Sequence, residues 1–66
     1  MKIIFNGQAL DLAENSSLQS LIESQNLIGK RLAAEVNLEI IPKTEHANYI
    51  LKNGDKVEIV HAIGGG

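Results

Sequence analysis

Sixty-six residues, 44% of them apolar with one Phe, one Tyr and no Trp, suffice for one aliphatic domain, but a chain this short buries only about 60% of its unfolded surface and has no room for a substrate cavity of about 300 Å³ or more. The net charge of −2 comes from interspersed acids and bases without a run of Lys or Arg, so the clustered cations that nucleic-acid binding requires are missing. Cysteine is absent, which excludes a disulfide framework, a thiolate zinc site and a thiol nucleophile; no stretch approaches the roughly 18 apolar residues of a membrane span, so the expectation is a cytoplasmic protein without a membrane partner.

Met1 to Phe5 alternates as a strand, with Met1, Ile3 and Phe5 on one face and Lys2 and Ile4 on the other. Asn6-Gly7 follows, a pair that tolerates the positive φ of a type I′ turn, and Gln8 to Ala13 returns with Leu10 and Leu12 on one side. From Ser17 to Gln25 the period becomes helical. Ser16 and Gln19 have the spacing of a capping box, and Leu18, Leu21 and Ile22 form a narrow apolar stripe suited to a core. Asn26 to Gly29 supplies residue types that accept a left-handed cap.

Leu32 to Asn37 reads as a third strand with Leu32, Ala34 and Val36 inward. After a turn at Asn37-Leu38-Glu39, Ile40-Ile41-Pro42 is a short strand that the proline confines to a sheet edge. Lys43 to Asn48 is polar, with one helical turn capped by Thr44, and Tyr49, Ile50 and Leu51 then return to the core. Asn53-Gly54-Asp55 is a turn, and Lys56 to His61 is the last strand, with Val57 and Ile59 inward and Val60 outward. The predicted fold is therefore α+β: a β-grasp (ubiquitin-like) roll with a mixed sheet of four to five strands and one main helix on one face. The final strand lies beside the first and parallel to it, in the middle of the sheet, where the most apolar strands are buried.

The sequence ends Ile63-Gly64-Gly65-Gly66. At average usage a given run of three glycines has odds of roughly 3 in 10,000. Without Cβ atoms such a run can lie extended in a narrow channel and bring its backbone close to another molecule. Its free carboxylate, ionised at neutral pH, is a nucleophile toward the α-phosphorus of ATP in a partner's pocket. The division expected is a domain over residues 1–62 and a flexible tail over 63–66, the tail spanning at most about 13–14 Å when extended.

The order of these features, namely Val36-Asn37, Ile41-Pro42-Lys43, Asn53-Gly54-Asp55-Lys56-Val57-Glu58-Ile59-Val60 and the glycine end, resembles the ThiS family of thiamine-biosynthesis sulfur carriers over essentially the whole chain. The resemblance implies that the chain is no enzyme but a protein co-substrate. An E1-like adenylyltransferase (ThiF) using ATP and Mg would activate the Gly66 carboxylate, a cysteine desulfurase system would supply sulfur to make a thiocarboxylate, and thiazole synthase (ThiG) would accept it. Gly64 and Gly65 would thread the partner's channel and Ile63 would anchor it. The small subunit of molybdopterin synthase uses the same end chemistry but tends to carry prolines before its glycines; Val60-His61-Ala62-Ile63 stands there instead and favours the thiamine branch.

Ile4, Ala33, Val60 and Ala62 fall on the sheet face away from the helix, and with Ile63 they are the candidate partner-binding residues. His46 and His61 lack a ligand set, so a structural or solvent-exposed role is expected for each, and no metal. The acidic residues are scattered, and no cofactor is expected on the chain itself. Other functions open to the same architecture are a ubiquitin-like protein modifier, which shares the activation step, and a β-grasp module that only binds.

Overall fold

Alternation and turn chemistry produce the opening hairpin. β1 (Lys2–Phe5) and β2 (Gln8–Asp11) pair antiparallel with Ile3 opposite Leu10, and Asn6 (φ 47°) and Gly7 (φ 86°) take the left-handed positions of a type I′ turn. The computed structural model describes residues 1–27 and 32–61.

Helix α1 (Leu18–Ser24) starts one residue later than the capping box predicts. Ser17 is the cap: it is extended (φ −89°, ψ 161°) and its Oγ accepts from the Ser20 amide at 3.0 Å. The cause is tertiary. Ser17 bridges antiparallel to Ile50, with the Leu18 amide donating to Tyr49 O and the Leu51 amide to Ser16 O, both at 2.8 Å. This pairing holds Ser17 out of the helix, so the Ser16 hydroxyl donates instead to Ala13 O at 2.7 Å and the Gln19 amide reaches Glu23 at 3.3 Å. Ser17→Ala is expected to cost about 1 kcal/mol and Ser16→Ala less than about 0.5 kcal/mol, a difference that urea denaturation will resolve.

The helix closes as foreseen at Asn26. With φ 59° this residue is in the left-handed region; its amide donates to Glu23 O at 3.0 Å and the Leu27 amide to Ile22 O at 3.1 Å, a Schellman motif. Gly29, at the far end of the Asn26 to Gly29 stretch, lies outside the described residues.

β3 (Leu32–Val36) and β4 (Glu39–Ile40) form a second hairpin. Its turn residues, Asn37 (φ 52°) and Leu38 (φ 72°), are both left-handed although neither is glycine. The 3₁₀ turn Lys43–Glu45 follows Pro42 with no side-chain cap; Thr44 sits inside the turn and does not cap it. His46 is buried, with Nε2 at 2.9 Å from Ile41 O. A carbonyl only accepts, so that nitrogen carries the proton, and the residue is structural.

The last strand, β5 (Lys56–His61), completes a five-stranded mixed sheet in the order β2-β1-β5-β3-β4. β5 runs parallel to β1 and antiparallel to β3, so it occupies the centre as expected for a β-grasp. Ile3, Leu18, Leu21, Val36, Leu51 and Val57 are the largest fully buried side chains, and they fill the space between the helix and one sheet face. Ile50 departs from the sequence reading: it is 45% exposed. In the bridge to Ser17, alternation sends Tyr49 and Leu51 toward the core and Ile50 away from it.

Candidate functional site

The candidate site is the C-terminal end of β5 together with the sheet face that helix α1 leaves uncovered. Tight anchoring at its start makes β5 a firm base. The buried Asp55 carboxylate accepts from the Lys52 amide at 2.8 Å and from Asn37 Nδ2 at 3.0 Å. Asn37 in turn accepts from the Lys56 amide through Oδ1 at 3.0 Å, and its own amide donates to Lys56 O at 2.8 Å. Across the strand, the Gly54 amide donates to Lys2 O at 2.7 Å and Asn53 Oδ1 accepts from the Lys2 amide at 2.8 Å. Gly54 has φ 88°, a conformation that side chains disfavour. Asn37 and Asp55 thus tie the second hairpin to the start of β5, a role that sequence spacing gave no sign of.

Register decides which candidate residues adjoin. Ala33 lies directly opposite Val60, and both are exposed, so these two form an apolar pair at the end of β5 from which the chain leaves. Val60 is 60% exposed. Ile4, on the same face, lies opposite Lys56 and Ala9, toward the other end of the sheet. The interval from residue 56 to residue 60 corresponds to about 13 Å along a strand, and between the two apolar groups Glu58 lies opposite Glu35. The open face is therefore two small apolar areas with a pair of carboxylates between them. Ala62, Ile63, Gly64, Gly65 and Gly66 lie outside the described residues, as does the side chain of His61.

Among the described residues, Tyr49 is the titratable group displaced from its ordinary range. Desolvation, then the negative charges of Asp55 and Glu39, raise its phenol pKa and keep it neutral. It is partly buried and packs against the core. Among the described residues no group of His, Asp and Glu could hold a metal ion, and no helix is long and apolar enough to cross a membrane.

The ThiS family model matches residues 3–66. The chain is 30% identical to the sulfur carrier protein ThiS of Escherichia coli over 66 residues, the whole of both chains. It is 36% identical over 66 residues to a thiazole synthase of Paramagnetospirillum magneticum; there it spans the whole of this chain but 20% of the relative's length. Among solved structures, the crystal structure of the thiamine biosynthesis protein ThiS from Geobacter metallireducens superposes with a TM-score of 0.86 at 25% identity, covering both chains completely.

Proposed function

The chain belongs to the ThiS family, and on that premise we propose that it is a sulfur carrier for thiamine biosynthesis whose Gly66 carboxylate is the group that is charged. The observation that carries the reading is the reach of the family match to residue 66, which takes in the glycine run as well as the domain. Residues 63–66 act as the tail, and the central strand β5 gives it a rigid base.

The chemistry proceeds in balanced steps on partner enzymes. A carboxylate oxygen of Gly66 attacks the α-phosphorus of ATP, held with Mg by an E1-like adenylyltransferase, and pyrophosphate leaves. The terminal sulfur of a cysteine persulfide, formed by a cysteine desulfurase system, then attacks the carbonyl carbon and AMP departs, leaving an acyl disulfide. A second thiol attacks the cysteine sulfur of that S–S bond, so that the cysteine leaves in a disulfide and the thiocarboxylate stays on Gly66. Thiazole synthase takes that sulfur, consistent with curated thiazole synthases whose own chains include a segment like this one. Covalent carriage divides one difficult transfer into two easier ones. This chain provides no catalytic group: it supplies the glycines, narrow enough for an active-site channel, and a recognisable domain behind them.

Incubation with the adenylyltransferase, MgATP and a sulfur source is expected to replace one oxygen of Gly66 by sulfur, read by intact-mass analysis. An unchanged mass would refute the carrier reading. Recognition is assigned to the open face, with Ala33 and Val60 nearest the tail and Ile4 farther along. Val60→Asp places an unpaired charge in that apolar contact and is expected to weaken binding to both enzymes at least about tenfold by isothermal titration. Its exposed position limits the cost to stability to less than about 1 kcal/mol. Undiminished binding would remove Val60 from the interface.

A further inference from the structure

β1 and β5 do not end together. Phe5 lies opposite Val57, and the chain then turns away at Asn6-Gly7, while β5 continues to His61. On its other side β5 keeps its neighbour throughout, as far as Leu32 opposite His61. The side toward β1 is completed by one side chain. The Asn6 amide donates to Val57 O at 2.9 Å, Asn6 Oδ1 accepts from the Ile59 amide at 2.9 Å, and Asn6 Nδ2 donates to Ile59 O at 3.3 Å. The carboxamide thus presents an acceptor and a donor to the backbone of Ile59, as a further residue of β1 would.

From this geometry we infer that Asn6 is a positioning residue for the tail: its carboxamide clamps the last part of β5, holding Ile59 in the sheet so that the strand from which the tail is presented is a fixed base. The inference rests on the carrier reading above. A frayed strand end would offer the tail to a partner's channel in the right direction for only part of the time, and the apparent affinity falls by that fraction. Once the tail is bound, the partner holds it, so the chemical step is untouched. The clamp therefore acts on KM for the carrier and leaves kcat alone.

The Asn-Gly turn allows a clean test, because Gly-Gly and Asp-Gly serve a type I′ turn as well. Asn6→Gly removes the carboxamide; Asn6→Asp keeps an acceptor for the Ile59 amide and loses the donor. In Asn6→Gly, exchange of the Ile59 amide hydrogen is expected to accelerate about tenfold or more while Ala34 and Val57 keep their protection. KM for the carrier in the adenylation reaction should rise about three- to tenfold, the scale of one or two net hydrogen bonds, at unchanged kcat. Asn6→Asp should retain Ile59 protection and most of the KM.

Uniform loss of protection across the sheet in Asn6→Gly would overturn the clamp in favour of a general stability effect. Faster exchange at Ile59 with an unchanged KM, or a fall in kcat instead, would overturn its role in presenting the tail. A wild-type chain that is never adenylated would instead overturn the carrier reading on which the inference rests, while the exchange measurement on Ile59 would still stand by itself.

Discussion

A chain truncated after Gly64 is expected to fold with unchanged stability and to accept no sulfur. Among the described residues the buried core runs from Ile3 to Ile59, and glycines bring no side chain to bury, so the change in unfolding free energy should stay within about 0.5 kcal/mol. The truncated chain still ends in a carboxylate, but that group sits two residues closer to the domain, about 7 Å short of its former reach. Reacting atoms must approach to about 3–3.5 Å, and displacements near 1 Å already cost about a hundredfold. A loss of more than about a thousandfold in adenylation rate is therefore expected, alongside retained binding through the open face. Appending one alanine after Gly66 should be equally silent in stability and equally inactive, since it moves the carboxylate outward by a residue. Sulfur transfer by either variant at a measurable fraction of the wild-type rate would remove the terminal acyl group from the mechanism.

The second large effect concerns the core. Leu18 is 0% exposed, and it opens α1 at the point where the chain is pinned to Tyr49 O through its amide. Leu18→Ala is expected to cost about 2–5 kcal/mol, the sum of lost transfer free energy and an incompletely collapsed cavity. At roughly 0.05–0.15 kcal/mol per residue the whole domain is stable by about 3–10 kcal/mol, so the substitution removes about a fifth or more of the total. The variant's melting temperature should fall by more than about 10 °C. Ile50→Ala is the matched control. The sequence places Ile50 in the core beside Leu51, but it is 45% exposed, and its loss should cost less than about 1 kcal/mol. If thermal unfolding finds the two substitutions equally damaging, the bridge between Ser17 and Ile50 does not orient that segment as described.

These paired expectations mark where a linear reading of this chain stops. Ser16 and Gln19 satisfy the spacing of a capping box, yet Ser17 caps, because the competing interaction is a strand-like pairing with residues far along the chain. Ile50 fits an apolar cluster until the same pairing fixes the parity of alternation. The open-face residues were separable by alternation alone, but not their neighbours: Ala33 and Val60 adjoin, whereas Ile4 lies opposite Lys56. A glycine run has only a backbone to offer, so the proposal for residues 64–66 rests on their position in the sequence and on the reach of the family match. Asn6 was legible as a turn former only; nothing local to Asn6-Gly7 indicates that its amide will meet the backbone of Ile59.

The amino-acid order by itself determined the elements of this protein, the central place of the last strand and the bare glycine end. Those features follow from side-chain period, from φ preferences at Asn and Gly, and from the apolar character of β1 and β5, all properties of short stretches. Only the tertiary structure decided which serine caps the helix, which face of residues 49–51 is buried, and which asparagines hold β5. Each of these depends on a hydrogen bond or register between segments distant in sequence, and the free energy of such a contact exists only once both segments are in place.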